Sequence, residues 1–141
     1  MKPILGAFES PIYSLMRFVV GVLFACHGAQ KLFGVLGGHS MIHNPLMLAG
    51  GIIEFGGGLL IAIGLLTSVA AIIAAGEMAV AYFMAHFPHG WFPILNHGEL
   101  PVVLCFTFLF FAAHGGGRFS LDRLLGRVQT QAEPEMAEQL S

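Results

Sequence analysis

The chain has 141 residues, of which 56% are hydrophobic and only 10% charged, with a formal charge of −2; soluble domains carry about a quarter charged residues. The length predicts one domain, and the composition makes a lipid bilayer its first partner. No basic patch with interleaved aromatics appears, which excludes nucleic acid as a partner, and two cysteines form neither a disulfide framework nor a zinc signature.

Four apolar stretches follow in order. The start, Met1-Lys2-Pro3 with Glu9, Pro11 and Arg17 close behind, does not read as a cleavable signal peptide. The first span is predicted over about 11–34, with Arg17 in its early turns snorkelling to the near interface. Its far end carries His27, Gln30 and Lys31 on one face by their three- and four-residue spacing. A loop rich in glycine and histidine, 37–45, leads to the second span, about 46–66. Glu54 is the one charge in that stretch. A carboxylate at such depth costs roughly 2.5–3.5 kcal/mol on insertion scales unless it faces partners inside a bundle. Gly50, Glu54, Gly57, Ile61 and Gly64 recur at helical spacing, placing Glu54 on a glycine-lined face where a neighbouring helix can approach.

Thr67-Ser68 reads as a turn at the membrane surface or a cap on the third span, about 69–86. There Ala70, Ala74, Glu77, Ala81 and Ala85 form a second small-residue face containing a carboxylate. The loop 87–98 is broken by prolines and glycines, and Trp91 fits a headgroup-level anchor. Glu99 opens the fourth span, 99–114, which tolerates Pro101 in its first turn. Ser120 is placed to cap a short surface segment, 121–125. The domain is expected to occupy residues 1–127, with 128–141 a polar, mobile tail. Lys2, Arg17, Arg118, Arg123 and Arg127 lie on one side of the spans and only Lys31 on the other. The expectation is an all-α, four-transmembrane-helix bundle, up-down, with both termini cytoplasmic.

Helical rise puts His27 roughly 10 Å, Glu54 roughly 12 Å and Glu77 roughly 13 Å inside the outer ends of their spans. His86 and Glu99 lie nearer the outer surface. Together with Gln30 and Lys31 these predict a polar pocket opening outward. Its catalytic residues are expected to be His27, Glu54 and Glu77, and its ligand-binding residues Gln30, Lys31, His86 and Glu99. Buried carboxylates beside histidine suit the proton exchange that quinone chemistry requires. Each has a plainer reading: His27 bonding a backbone carbonyl, Lys31 snorkelling outward, Glu77 in a structural ion pair. His39, His43, His89 and His97 read as solvated loop residues, and no metal site is assigned. Cys26 and Cys105 are inert thiols, or a redox pair if their spans touch.

These residues resemble the DoxX family of small membrane proteins from about 15 to 125. The resemblance rests on His27-Gly28-Ala29-Gln30-Lys31-Leu32-Phe33-Gly34 and on Gly51-Ile52-Ile53-Glu54-Phe55-Gly56-Gly57-Gly58-Leu59-Leu60. It continues in Asn96-His97-Gly98-Glu99 and in Gly115-Gly116-Gly117-Arg118-Phe119-Ser120-Leu121-Asp122. The family more often has glycine where His97 stands. The resemblance implies a four-helix inner-membrane protein of bacterial type, and some relatives are subunits of a thiosulfate:quinone oxidoreductase. Quinone is thus the implied cofactor and a redox subunit the implied partner, since no haem, flavin or iron–sulfur motif appears. The expected function is a quinone-linked redox or oxidoreductase-complex accessory subunit. The alternatives are a non-catalytic membrane scaffold and a small weak-acid or proton transporter.

Overall fold

A computed structural model of the chain describes residues 2–126. The polar tail expected over 128–141, and Arg127, lie outside the described residues. All regular structure among the described residues is helical. A 3-10 turn, Gly6–Phe8, runs into α1, Glu9–Phe33. The second rod consists of α2 (Pro45–Ile52), a π turn (Ile53–Gly57) and α3 (Gly58–Ile63). The third consists of α4 (Thr67–Ala81), a π turn (Tyr82–His86) and a 3-10 turn (Phe87–His89). One helical turn, α5 (Pro93–Asn96), precedes α6 (Glu99–His114), and α7 (Leu121–Leu124) follows.

Three rods, Gly6–Phe33, Pro45–Ile63 and Thr67–His89, are long and apolar enough to cross a membrane. The fourth, α6, has 16 residues, or about 24 Å of rise against a hydrocarbon core of about 30 Å. Their outward faces carry large apolar side chains, among them Ile72, Ile73, Val80, Phe83 and Met84, each half exposed or more. In water so much contiguous apolar surface would drive aggregation; in lipid it is the solvated surface.

Close packing of the first two rods depends on four glycines, two on each rod and seven residues apart. A Cβ on Gly21 would stand 2.6 Å from the Ala62 nitrogen, and one on Gly58 would stand 2.5 Å from the Ala25 nitrogen. A Cβ on Gly28 would run into the Phe55 backbone, and one on Gly51 would stand 2.9 Å from a Leu32 methyl. As α1 is followed forward, its partners run backward from Ala62 to Gly51, so these two rods pack antiparallel. The contact face therefore differs from the expected Gly50–Gly57–Gly64 stripe. Gly57 has nothing within 4 Å of a built Cβ, and Gly64 sits at the rod's end with φ 73°. Regular spacing fixes which residues share a face but not which face meets the neighbour: Gly51 and Gly58 keep the seven-residue spacing of Gly50 and Gly57 one position round the rod, while Gly50 faces Glu77 and Lys31.

The third rod packs on α6 through Ala70, Ala71, Ala74, Ala75 and Met78, all buried. The expected stripe continues to Ala81, half buried against this core, and ends before Ala85, which is exposed. Phe108 and Phe111 of α6 fill the centre with Phe24 and Ile61, all essentially inaccessible. Phe24 meets Phe108 at 4.6 Å between ring centroids, and Tyr13 meets Phe111 edge-on at 5.7 Å, so aromatic side chains join α1 to α6. Each such buried aromatic contributes a few kcal/mol of packing.

Candidate functional site

The site is assembled at the end of the bundle that carries the loops 34–44 and 87–98. α1 stops at Phe33 because Gly34 turns left-handed (φ 65°) and donates its N–H to the Gln30 carbonyl. That leaves Lys31 in the last turn, where a cation favours the helix dipole. Asn44 caps α2, its Oδ1 accepting from the N–H groups of Leu46 (3.0 Å) and Met47 (3.3 Å), with Pro45 in the first turn. Two and a half turns later Glu54 lies in the π turn, buried to 4% exposure. Lys31 Nζ donates to Glu54 Oε1 at 2.8 Å. Gly50 makes room for a third charge. A Cβ there would stand 3.3 Å from Glu77 Oε1 and 3.6 Å from Lys31 Nζ. Three ionisable groups from three rods thus converge, and Glu54 Oε2 and Glu77 Oε2 are buried without a hydrogen-bond partner.

Two cavities flank this cluster. The smaller, about 130 Å³, is lined by His27, Glu54 and His86 together with Phe24, Met78 and Pro101. The larger, about 560 Å³, lies between α2 and the third rod. Lys31, Glu77 and His86 are its ionisable lining groups, against an otherwise apolar wall that includes Leu46, Ile73 and Met84. His86 borders both. Its Nδ1 lies 3.1 Å from the Asn96 carbonyl oxygen. A carbonyl only accepts, so Nδ1 carries a proton, and in the neutral ring Nε2 is an acceptor. Asn96, 4% exposed, is itself fixed: its amide donates to Tyr82 Oη (3.2 Å) and to the Gly90 carbonyl (2.8 Å), and its Oδ1 accepts from the Gly98 N–H (2.8 Å). The Tyr82 ring stacks parallel to His86 at 6.4 Å.

The sequence-predicted residues separate accordingly. Lys31, Glu54, Glu77, His27 and His86 line the cavities. Gln30 faces the first loop, where its amide donates to the Leu36 carbonyl at 3.0 Å and Gly38 packs on its side chain. Glu99 is exposed at the start of α6 and lines neither cavity. His89 bonds back to the Ala85 carbonyl rather than turning toward His86. Cys26 and Cys105 are free thiols, each half buried.

A family model, DoxX, matches residues 12–87, which is α1 through the third rod with every ionisable residue of the cluster. The chain belongs to the DoxX family. It is 37% identical over 116 residues to an uncharacterized protein of Haemophilus influenzae, covering 77% of this chain and 87% of that one. It is 31% identical over 121 residues to the inner membrane protein YqjF of Escherichia coli, covering 79% and 89%. No solved structure matches the chain.

A second polar constellation in this DoxX protein lies at the opposite end, and the sequence reading missed its role. Arg17 does not snorkel; it is 2% exposed. Its guanidinium donates to the carbonyls of Ile61, of Ala62 at 2.7 Å and of Phe119 at 2.8 Å. The first two lie in the last turn of α3, where Ile61 also accepts from the Gly64 N–H at 3.2 Å, so Arg17 adds a cap to the second rod from across the bundle. Asp122, 8% exposed, does the converse for α4. Its carboxylate accepts from the N–H groups of Leu66 (2.8 Å) and Thr67 (3.0 Å) and from the Thr67 hydroxyl (3.1 Å). Tyr13 donates to the Gly115 carbonyl at 2.5 Å, and Ser120 caps α7 as its position predicts. The signal was present in Arg17 and Asp122 as charges beside apolar runs, but their partners are backbone groups 44 to 102 residues away.

Proposed function

We propose that the chain is a bacterial inner-membrane protein that crosses the bilayer four times, with both termini cytoplasmic. It serves as a quinone-linked redox or oxidoreductase-complex accessory subunit. α6 is the fourth crossing, its deficit in length met by local thinning of the bilayer. Lys2, Arg118 and Arg123 mark the cytoplasmic side; Arg17 and Lys31 are committed to internal contacts and drop out of that count. The name of the YqjF relative supports the inner-membrane address.

One observation carries the functional reading. A buried carboxylate, Glu54, is held by Lys31 at 2.8 Å, and a second acid, Glu77, lines with Lys31 an apolar cavity of about 560 Å³ beside Gly50. That volume accommodates a bicyclic ring, and membrane proteins place ionisable groups at such depth for proton or ligand handling. A quinone bound there would exchange two electrons and two protons with a partner subunit or soluble donor. In this reading Lys31, with N–H groups beyond the one given to Glu54, donates to a ring oxygen, His86 lines the ring, and Glu54, Glu77 and His27 hold and pass protons. Protein purified in native-lipid nanodiscs should retain a lipid quinone detectable by mass spectrometry after extraction, and Glu54→Gln should lower the amount retained. Wild-type protein that binds no quinone at millimolar ligand overturns the reading.

The closed Lys31–Glu54 pair also favours a scaffold in which the charges only fix helix register. Unchanged quinone retention in Glu54→Gln, with assembly lost in Gly58→Leu, would select it.

A further inference from the structure

The larger cavity has a hydrogen-bonding sign. Its acceptors are the Glu77 carboxylate, whose Oε2 is buried and unpartnered, and His86 Nε2, made an acceptor by the bond from Nδ1 to the Asn96 carbonyl. Behind Glu77 stands Glu54 Oε2, on a side chain 4% exposed, again without a partner. Lys31 is the one cationic donor among the lining residues, and one of its three N–H groups is given to Glu54 Oε1. A proton held by the acids satisfies one of these oxygens and leaves the remaining acceptors open. Buried acceptors without donors cost about 1–3 kcal/mol each, and a ligand that supplies donors recovers it.

Resting on the quinone-class reading above, we propose that this cavity selects the reduced, hydroxyl-bearing ring, a membrane-soluble 1,4-dihydroxyarene, over its quinone. One hydroxyl donates to His86 Nε2 and the other to the Glu77 carboxylate. Residues 77 and 86 are separated by nine positions, at most about 13 Å of helical rise and somewhat less through the π turn Tyr82–His86. Two hydrogen bonds of about 2.8 Å added to the ring's own oxygen–oxygen span reach roughly 11 Å, which suits hydroxyls on opposite sides of the ring. A quinone presents only acceptors and sets carbonyl oxygens against acceptors, a mismatch that sites built for a hydroxyl reject strongly. Entry is sideways from the bilayer: Leu46, Ile73, Val80 and Met84 line the cavity and are each about half exposed on the apolar surface.

The test uses three probes of one shape: 2-methylnaphthalene-1,4-diol, its quinone and its 1,4-dimethyl ether. Binding to the full-length protein in nanodiscs is measured anaerobically by equilibrium dialysis, with empty nanodiscs as the partition blank. The diol is expected to bind at least tenfold more tightly than the quinone and the diether. Glu77→Gln, which exchanges an acceptor for an amide donor, should narrow the diol-to-quinone ratio at least threefold while the melting temperature is followed as a folding control. A wild-type diol-to-quinone ratio below tenfold, with both bound, overturns the selectivity and leaves the quinone-class site standing. A diether that matches the diol shows apolar partition alone and also overturns it. If none of the three exceeds the blank, the underlying reading fails with it.

Discussion

Removing one partner of the Lys31–Glu54 pair should have sharply unequal costs, because the two ends differ in exposure. The Lys31 side chain is 27% exposed and that of Glu54 only 5%. Lys31→Met leaves a carboxylate deep in the bundle with neither oxygen paired, since Oε2 already lacks a partner. Breaking a fully buried pair costs about 3–5 kcal/mol; with one end partly open, about 3 kcal/mol is expected. Glu54→Gln leaves a lysine whose long stem can carry its ammonium to the interface, at a cost of about 1 kcal/mol. The double variant, holding no stranded charge, should cost about 1–2 kcal/mol, so that the cycle yields a coupling of about 2–3 kcal/mol. Reversible unfolding in mixed detergent micelles, followed by circular dichroism, measures all four corners. Equal costs for the two single variants, or strict additivity in the double, would show that the pair is solvated and refute the reasoning.

Further outcomes follow from the packing and from the opposite end. Gly28→Leu should block insertion of a folded bundle or cost more than about 3 kcal/mol, since its side chain meets the Phe55 backbone, whereas Gly57→Ala, with open space around it, should be neutral or stabilising by up to about 1 kcal/mol; protease protection in membranes separates the two. Arg17→Met removes a side-chain donor from three backbone carbonyls, of which Ile61 keeps the Gly64 N–H, and should cost about 2–3 kcal/mol in the same unfolding assay. His97→Gly should stabilise by up to about 1 kcal/mol, because His97 holds a left-handed φ of 59° that glycine adopts without strain, and a lower melting temperature would contradict this.

That last position shows how much of the fold was legible in the chain. The glycine expected from the family resemblance at 97 corresponds to a backbone conformation, which a sequence alone can suggest but not display. The four apolar rods were legible because their length and lack of charge leave few alternatives, and α6 begins and ends where Glu99 and His114 placed it. Lys31 and Glu54 were brought together correctly because both lie near the same end of successive helices. Gln30 was not, since a side chain one position from Lys31 points some 100° away around the helix, here into the loop at Leu36. The π turn at Ile53–Gly57 was invisible to periodicity, and seven-residue spacing alone could not tell the face of Gly50 and Gly57 from that of Gly51 and Gly58, which meets α1. Arg17 was misplaced because snorkelling is a local argument, while its partners at Ile61, Ala62 and Phe119 are set by tertiary structure.

The remote caps on the second and third rods also impose an order on biogenesis. Residue 122 must leave the ribosome before the N–H groups of Leu66 and Thr67 find their acceptor, and Tyr13 waits for Gly115, 102 residues downstream. Until then the insertion machinery handles hairpins whose turns are unfinished at the end bearing Arg17. A chain stopped ahead of Ser120 would carry every apolar rod and nearly every pocket residue, yet lack the stitch that closes the bundle, which makes it a natural substrate for membrane quality-control proteases.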